Sequence, residues 1–173
     1  MRFEKGEKIK EYTLEESIGG GASGEVWKAR GDNKLVAIKF MNENLMRGPN
    51  AQKHRERMQR EIDALKSLNH PNIPRLYESD LDFSPPYLVM EYIGAESYDK
   101  LIQTGEILKV PLKRRLEVIE ALAYALHTAH VNGIIHRDIK PGNIAGVDTP
   151  RLLDFSVAIE TTDISSTQSA IGT

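Results

Sequence analysis

No cysteine occurs among the 173 residues, which excludes disulfides, thiolate nucleophiles and Cys-based metal sites and fits a reducing compartment. Long hydrophobic runs are missing too. The longest strongly apolar stretch, about Ala121–Leu126, falls far short of the ~20 residues a membrane span needs. Met1–Lys10 mixes charged and apolar residues around no apolar core, so it is not expected to be a signal peptide. Neither sign of charge dominates: 23 Lys+Arg stand against 25 Asp+Glu, a net −2 that argues against affinity for DNA, RNA or anionic membrane resting on bulk charge. No internal repeat is present, and the one biased tract is the polar, Ser/Thr-rich Thr161–Ser169. Aromatics make up only 6%, yet 40% apolar and 28% charged residues form an ordinary soluble composition, with one domain's worth of chain and the cytoplasm as the expected location.

Tyr12–Met41 is strand-like in short segments broken by Gly19-Gly20-Gly21, Gly24 and Gly31-Asp32-Asn33: Val26–Arg30 alternates and Leu35–Phe40 is β-branched and mostly apolar, which predicts three antiparallel strands. From Asn50 to Asn69 the period changes. Met58, Ile62, Leu65 and Leu68 make one stripe of an amphipathic helix, ended by His70-Pro71 because the residue before proline is pushed out of the helical region. Strand candidates Ile73–Ser79 and Tyr87–Ile93 follow, split by Ser84-Pro85-Pro86. Beyond Gly94 a short helix near Ser97–Thr104 and a long one at Leu112–His130 are predicted, the latter with a stripe of Leu112, Leu116, Ile119, Leu122, Leu126 and Ala129 and closed by Gly133. Short β-prone pieces fill Ile134–Ile159. The chain is thus expected to comprise an extension at residues 1–10, a strand-rich lobe at 11–93 and a helix-rich lobe at 94–173.

Gly19-x-Gly21-x-x-Gly24 is a glycine fingerprint shared by several nucleotide sites, and alone it is weak. A Walker A loop requires Lys and Ser/Thr after the last glycine, where Glu25-Val26 stand. A Rossmann site requires the glycines to open a helix, whereas Glu25–Arg30 alternates as a strand. What fits is a strand-loop-strand flap whose backbone N–H groups approach a triphosphate, the bland rival being a plain glycine hairpin. Fifteen residues past Gly24, Lys39 ends the apolar run Val36-Ala37-Ile38. An ammonium under a phosphate flap needs an anion to orient it, and Glu61, beside the apolar stripe of the next helix, is the candidate.

His136-Arg137-Asp138-Ile139-Lys140-Pro141-Gly142-Asn143 packs a carboxylate, two permanent cations and a metal-capable amide into one loop, and Leu152-Leu153-Asp154-Phe155 places an acid after an apolar strand. Taken in order with the glycine loop and the Val-Ala-Ile-Lys strand, these motifs resemble the eukaryotic-type (Hanks-type) Ser/Thr protein kinases of bacterial kind, over about Tyr12–Thr173. The resemblance implies an α+β bilobal fold, with an antiparallel N-lobe sheet, one long helix and an incomplete helical C-lobe ending in the activation segment. It implies ATP and Mg²⁺ as cofactors and a protein Ser/Thr hydroxyl as acceptor. Ile18, Gly19, Gly20, Gly21, Ala22, Ser23, Gly24 and Val26 would cover the nucleotide. Lys39, braced by Glu61, would hold the α/β-phosphates. Ala37, Met90, Glu91, Ile93 and Ala145 would surround adenine, Met90–Ile93 being the hinge. Asp138 would be the catalytic base, Lys140 the lysine typical of Ser/Thr-directed members, and Asn143 and Asp154 the metal ligands.

Two departures stand out against that family. Ser156 replaces the glycine after Asp-Phe, and Ala145 is smaller than the usual residue beneath adenine. Family members also continue past Gly172-Thr173 into helices that build the peptide-binding face, so weak or no transfer is expected of these residues alone. Arg137 suggests an activation segment ordered by phosphate, with Ser165, Ser166, Thr167, Ser169 and Thr173 as acceptors. The rival readings are a catalytically silent ATP-binding or interaction module and a small-molecule kinase. His127 and His130 share a helix face without a third ligand, and the cluster Lys53, Arg55, Arg57 and Arg60 reads as a solvated helix face.

Overall fold

In the computed structural model, which describes residues 3–21, 24–42, 51–155 and 159–160, the alternating N-terminal segments become strands of one sheet. These are β1 (Lys8–Ile9), β2 (Tyr12–Gly21), β3 (Gly24–Gly31), β4 (Lys34–Met41), β5 (Leu76–Asp80) and β6 (Tyr87–Glu91). They pair antiparallel in the order β1-β2-β3-β4-β6-β5. The chain divides into two compact units, Met1–Ile62 with Arg75–Tyr92, and Asp63–Pro74 with Ile93–Thr173.

In the first unit β4 is buried from Val36 to Met41, which is why it reads as a continuous apolar run and not as an alternation. Val36, Ile38 and Phe40 pack with Leu14, Trp27, Ala29, Tyr87 and Val89, whereas Met41 joins Leu88, Met58 and Ile62 in a separate cluster. Residues 3–10 are built into this unit: Phe3 and Ile9 belong to the first cluster, and Lys8 and Ile9 pair with Thr13 and Tyr12. Lys10 Nζ on the β1–β2 turn meets Asp80 Oδ2 on β5 at 2.8 Å. That contact joins the first strand of the sheet order to the last, so the sheet is curled.

Helix α1 (Ala51–Ser67) carries the expected stripe but divides it between cores. Met58 and Ile62 pack in the first unit, while Leu68, with Leu65 partly buried beside it, packs in the second. The second unit holds α2 (Tyr98–Gln103), a 3₁₀ turn at Glu106–Lys109, α3 (Leu112–Val131), β7 (Ile134–Ile135), β8 (Ile144–Ala145), β9 (Arg151–Leu152) and β10 (Ile159–Glu160). Ser97 caps α2 by accepting the Lys100 N–H, and Gly133 follows α3 at φ 77, the left-handed conformation that glycine adopts without penalty. Asn72 fastens its segment to β9, donating Nδ2–H to Pro150 O at 2.6 Å and accepting the Leu152 N–H at 2.8 Å.

The stripe expected on α3 holds at Leu122, Leu126 and Ala129 and is corrected in its N-terminal half. The buried face is Val118, Leu122, Ala125 and Ala129, whereas Leu112, Leu116 and Ile119 are 63, 56 and 63% exposed. The helix buries two of its four alanines, Ala125 and Ala129, in the cluster that holds Ile134 and Leu152, where a small side chain allows close approach. Among the described residues no helix is long and apolar enough to cross a membrane.

Candidate functional site

The candidate residues fall in both units. In the first, β2 and β3 stay paired to Gly21 opposite Gly24, so the glycine fingerprint sits on a tight strand-loop-strand. Ala22 and Ser23 lie outside the described residues. Register then aligns the candidates: Gly19 faces Val26, Val26 faces Lys39, and Lys39 faces Leu88, a single row across four strands. Residues directly opposite one another share a sheet face. Ala37, two positions before Lys39 and opposite Met90, lies on the same face.

The glycines differ in what holds them. At Gly24, φ is +135 and a Cβ would stand 1.9 Å from the Phe40 carbonyl oxygen. At Gly20 a Cβ would meet nothing within 4 Å, and at Gly19 only Val26 at ordinary contact distance. Chain packing therefore demands glycine at position 24 and leaves 19 and 20 open. Ile18 is exposed.

Lys39 is only 4% exposed, a buried cation on a strand packed from both faces. Burying an ammonium is costly unless an anion or hydrogen-bond acceptors meet it. Glu61 is on α1, and its side chain lies outside the described side chains. The Glu91 N–H donates to Arg75 O at 2.8 Å.

In the second unit the loop after β7 brings three of the singled-out residues together. Proline at the start of the 3₁₀ turn Pro141–Asn143 has no N–H to lose there and a φ already suited to the turn. The turn carries Asn143 back onto Asp138: its Nδ2 donates to Asp138 O at 2.8 Å and to Asp138 Oδ2 at 3.0 Å. Lys140 Nζ lies 2.6 Å from the same Oδ2. The Lys140 ammonium, with help from the Asn143 amide, holds the Asp138 carboxyl below the ordinary carboxylate range; partial burial and the nearby negative charge of Asp154 oppose it. Lys140 is correspondingly raised, chiefly by Asp138. Asp138 is thus poised as an ionised acceptor.

Arg137 and Asp154 both adopt positive φ, 64 and 59, a region that costs a non-glycine residue on the order of 1–3 kcal/mol and is held only by surrounding structure. His136 supplies some of that hold, a role the sequence reading did not assign to it. It is 1% exposed, its Nδ1 accepts the Asp138 N–H at 3.3 Å, and its Nε2 lies 2.8 Å from Leu153 O, so the proton sits on Nε2. Its ring meets Phe155 edge-on at 4.6 Å. One imidazole therefore ties the Asp138 backbone to both neighbours of Asp154. Leu153 N–H adds a bond to Asn143 O at 2.7 Å. Ala145 is buried on β8 and bridges to Ser97, and Ile93 is half-buried. Ser156, Ser165, Ser166, Thr167, Ser169 and Thr173 lie outside the described residues.

The donor set fits Mg²⁺ in one particular way. Asn143 turns its amide nitrogen to Asp138, which leaves the amide oxygen, the metal-capable atom, without a hydrogen bond among the described residues. Those residues contain no cluster of three or more His, Asp or Glu able to hold a metal. A cation here would be held by Asn143 and Asp154 and completed by phosphate oxygens and water, as Mg²⁺ at nucleotide sites commonly is.

Comparison with known proteins shows the family. Residues 12–173 match the model of the protein kinase domain family. The chain is 36% identical to the serine/threonine-protein kinase PknB of Mycobacterium tuberculosis strain H37Rv over 175 residues, covering 94% of this chain and 27% of that protein. It is 33% identical to PknB of Mycobacterium leprae over 174 residues, with the same coverage. The chain thus spans about a quarter of the length of these curated relatives. The crystal structure of the M. tuberculosis PknI kinase domain superposes with a TM-score of 0.73 at 25% identity, over 91% of this chain and 64% of that one.

Proposed function

The chain belongs to the protein kinase domain family, and on that footing we propose that it transfers the γ-phosphoryl group of ATP to a serine or threonine hydroxyl of a protein substrate. The carrying observation is the Lys140–Asp138–Asn143 triangle, in which a carboxylate is held ionised by an ammonium and an amide. Phosphoryl transfer requires alignment and charge neutralisation more than covalent help from the protein.

In this reading Asp138 accepts the proton of the acceptor hydroxyl and orients its oxygen. Lys140, bonded to the same carboxylate, adds positive charge beside it. Asn143 and Asp154 hold Mg²⁺, which when bound neutralises phosphate oxygens. Lys39 holds the α/β-phosphates with Glu61 as its anion, and the open positions Gly19 and Gly20 let backbone N–H groups come close to phosphate. Val26, Ala37, Met90, the Glu91 carbonyl, Ile93 and Ala145 take the adenine. The lack of cysteine suits a reducing compartment, and we place the domain in the cytoplasm.

Two measurements test this. Mg-ATP should raise the melting temperature of the purified chain, because a ligand that binds only the folded state stabilises it. Lys39→Met or Asp154→Asn should abolish the shift. Radiolabel transfer from ATP to a basic protein, expected to be weak or absent from these residues alone and, where present, lost in Asp138→Asn, tests the chemistry, and no melting shift in the parent would refute the reading.

A further inference from the structure

The kinase match begins at Tyr12, yet two residues before it, Phe3 and Ile9, are buried in the core of the first unit. Phe3 is 6% exposed, and its ring stacks on Phe40 with centroids 3.8 Å apart and 25° between planes. Phe40 also lies 6.0 Å from Tyr87, its cross-strand partner on β6, and Phe83 closes the row edge-on at 5.2 Å from Tyr87. The backbone of the segment is fastened as well. Gly6 N–H donates to Leu14 O at 2.8 Å, and Leu14 N–H to Glu7 O at 2.9 Å. At its far end Lys10 meets Asp80 and lies over the Tyr87 ring, 5.6 Å from the centroid.

Phe40 is the residue after Lys39, so the two project from opposite faces of β4. A close-packed interior transmits displacement and does not absorb it. The Phe3 ring thus presses on the strand at the place where Lys39 leaves its other side, while Met58, Ile62 and Leu88 close that side around Met41. We infer that Phe3–Lys10 is a strap that fixes the height and rotation of β4, and that Phe3 is a positioning residue for the contact between Lys39 and phosphate. The second half of this inference rests on the kinase reading, and the first half stands on packing alone.

The test compares the parent chain, Phe3→Ala and Phe3→Leu at a temperature where all three are fully folded. It reads hydrogen exchange at the β4 amides, including Met41, whose N–H donates to Pro86 O at 2.8 Å. It also reads the Kd for Mg-ATP. In Phe3→Ala, β4 amides should exchange about tenfold faster with those of α3 unchanged, and Kd should weaken about tenfold, equivalent to ~1.4 kcal/mol. Phe3→Leu should recover most of both. A lowered melting temperature with Kd and β4 exchange at parent values would overturn the inference, since that is all a merely structural ring would do. If the parent binds no Mg-ATP, the kinase reading falls instead, and unchanged β4 exchange in Phe3→Ala would then overturn the strap by itself.

Discussion

Replacing Gly24 by alanine is expected to damage the fold of the first unit, although the change adds a single methyl group. An added Cβ would lie 1.9 Å from the Phe40 carbonyl oxygen, 2.9 Å from its carbon and 3.0 Å from Met41 Cα. All three are backbone atoms of β4, and β4 cannot retreat, because Phe40 and Met41 are buried in cores on opposite sides of the strand. The φ of +135 adds strain that glycine alone escapes. Backbone strain of this kind costs about 1–3 kcal/mol and overpacking a similar amount, so ~2–6 kcal/mol together. For a chain of this size that corresponds to a fall in melting temperature on the order of 10 °C. Gly20→Ala is the control, with no atom within 4 Å of the new methyl, and it should change stability by less than ~0.5 kcal/mol. Thermal melts of the two variants decide the matter. A Gly24→Ala protein melting within about 2 °C of the parent would refute the steric argument. If Gly20→Ala keeps its melting temperature but loses Mg-ATP stabilisation, that glycine serves the ligand and not the fold.

Three further perturbations probe other parts of the molecule. His136→Phe keeps a ring against Phe155 but strands the Leu153 carbonyl and the Asp138 N–H, so a loss of about 1–3 kcal/mol is expected in denaturant melts; an unchanged midpoint would deny those bonds any weight. Burial, with Glu78 second, pushes the Tyr12 phenol up to about 12. The unfolded chain ionises first, so stability should fall by about 2 kcal/mol between pH 10 and pH 12, and Tyr12→Phe should flatten much of that limb. Tyr87, also raised by burial, contributes with the same sign, so some slope should remain. The Asp138 carboxyl is depressed chiefly by Lys140, so its contribution is present above the ordinary carboxylate range and lost as pH falls through the lower folded value. In Lys140→Met the Asp138 carbon resonance should titrate nearer the ordinary range, and an unmoved titration would show that Lys140 is not the cause.

Local signals carried much of this molecule. Strand-like segments over Tyr12–Met41, alternating at Val26–Arg30 and continuously apolar at Leu35–Phe40, determined three strands, and a one-residue slip would turn Ile38 and Phe40 out of their core. The spacing from His136 to Asn143 made the Asp138–Lys140–Asn143 triangle reachable, because a 3₁₀ turn begun by Pro141 spans that distance, and bonds from Leu153 to Asn143 and His136 fasten it. Other features depended on partners far along the chain. Periodicity marks α3 as amphipathic, but whether its buried face runs through Ala125 and Ala129 or through Leu116 and Ile119 depends on where Ile134 and Leu152 lie. The stripe on α1 does not announce that two cores divide it. Nothing in Gly19-x-Gly21-x-x-Gly24 distinguishes the last glycine from the others until β4 arrives beside it, and nothing in Phe3 announces Phe40. A sequence encodes the spacing of side chains along one strand or helix, whereas which atoms meet across strands is decided only when long-range packing closes the unit.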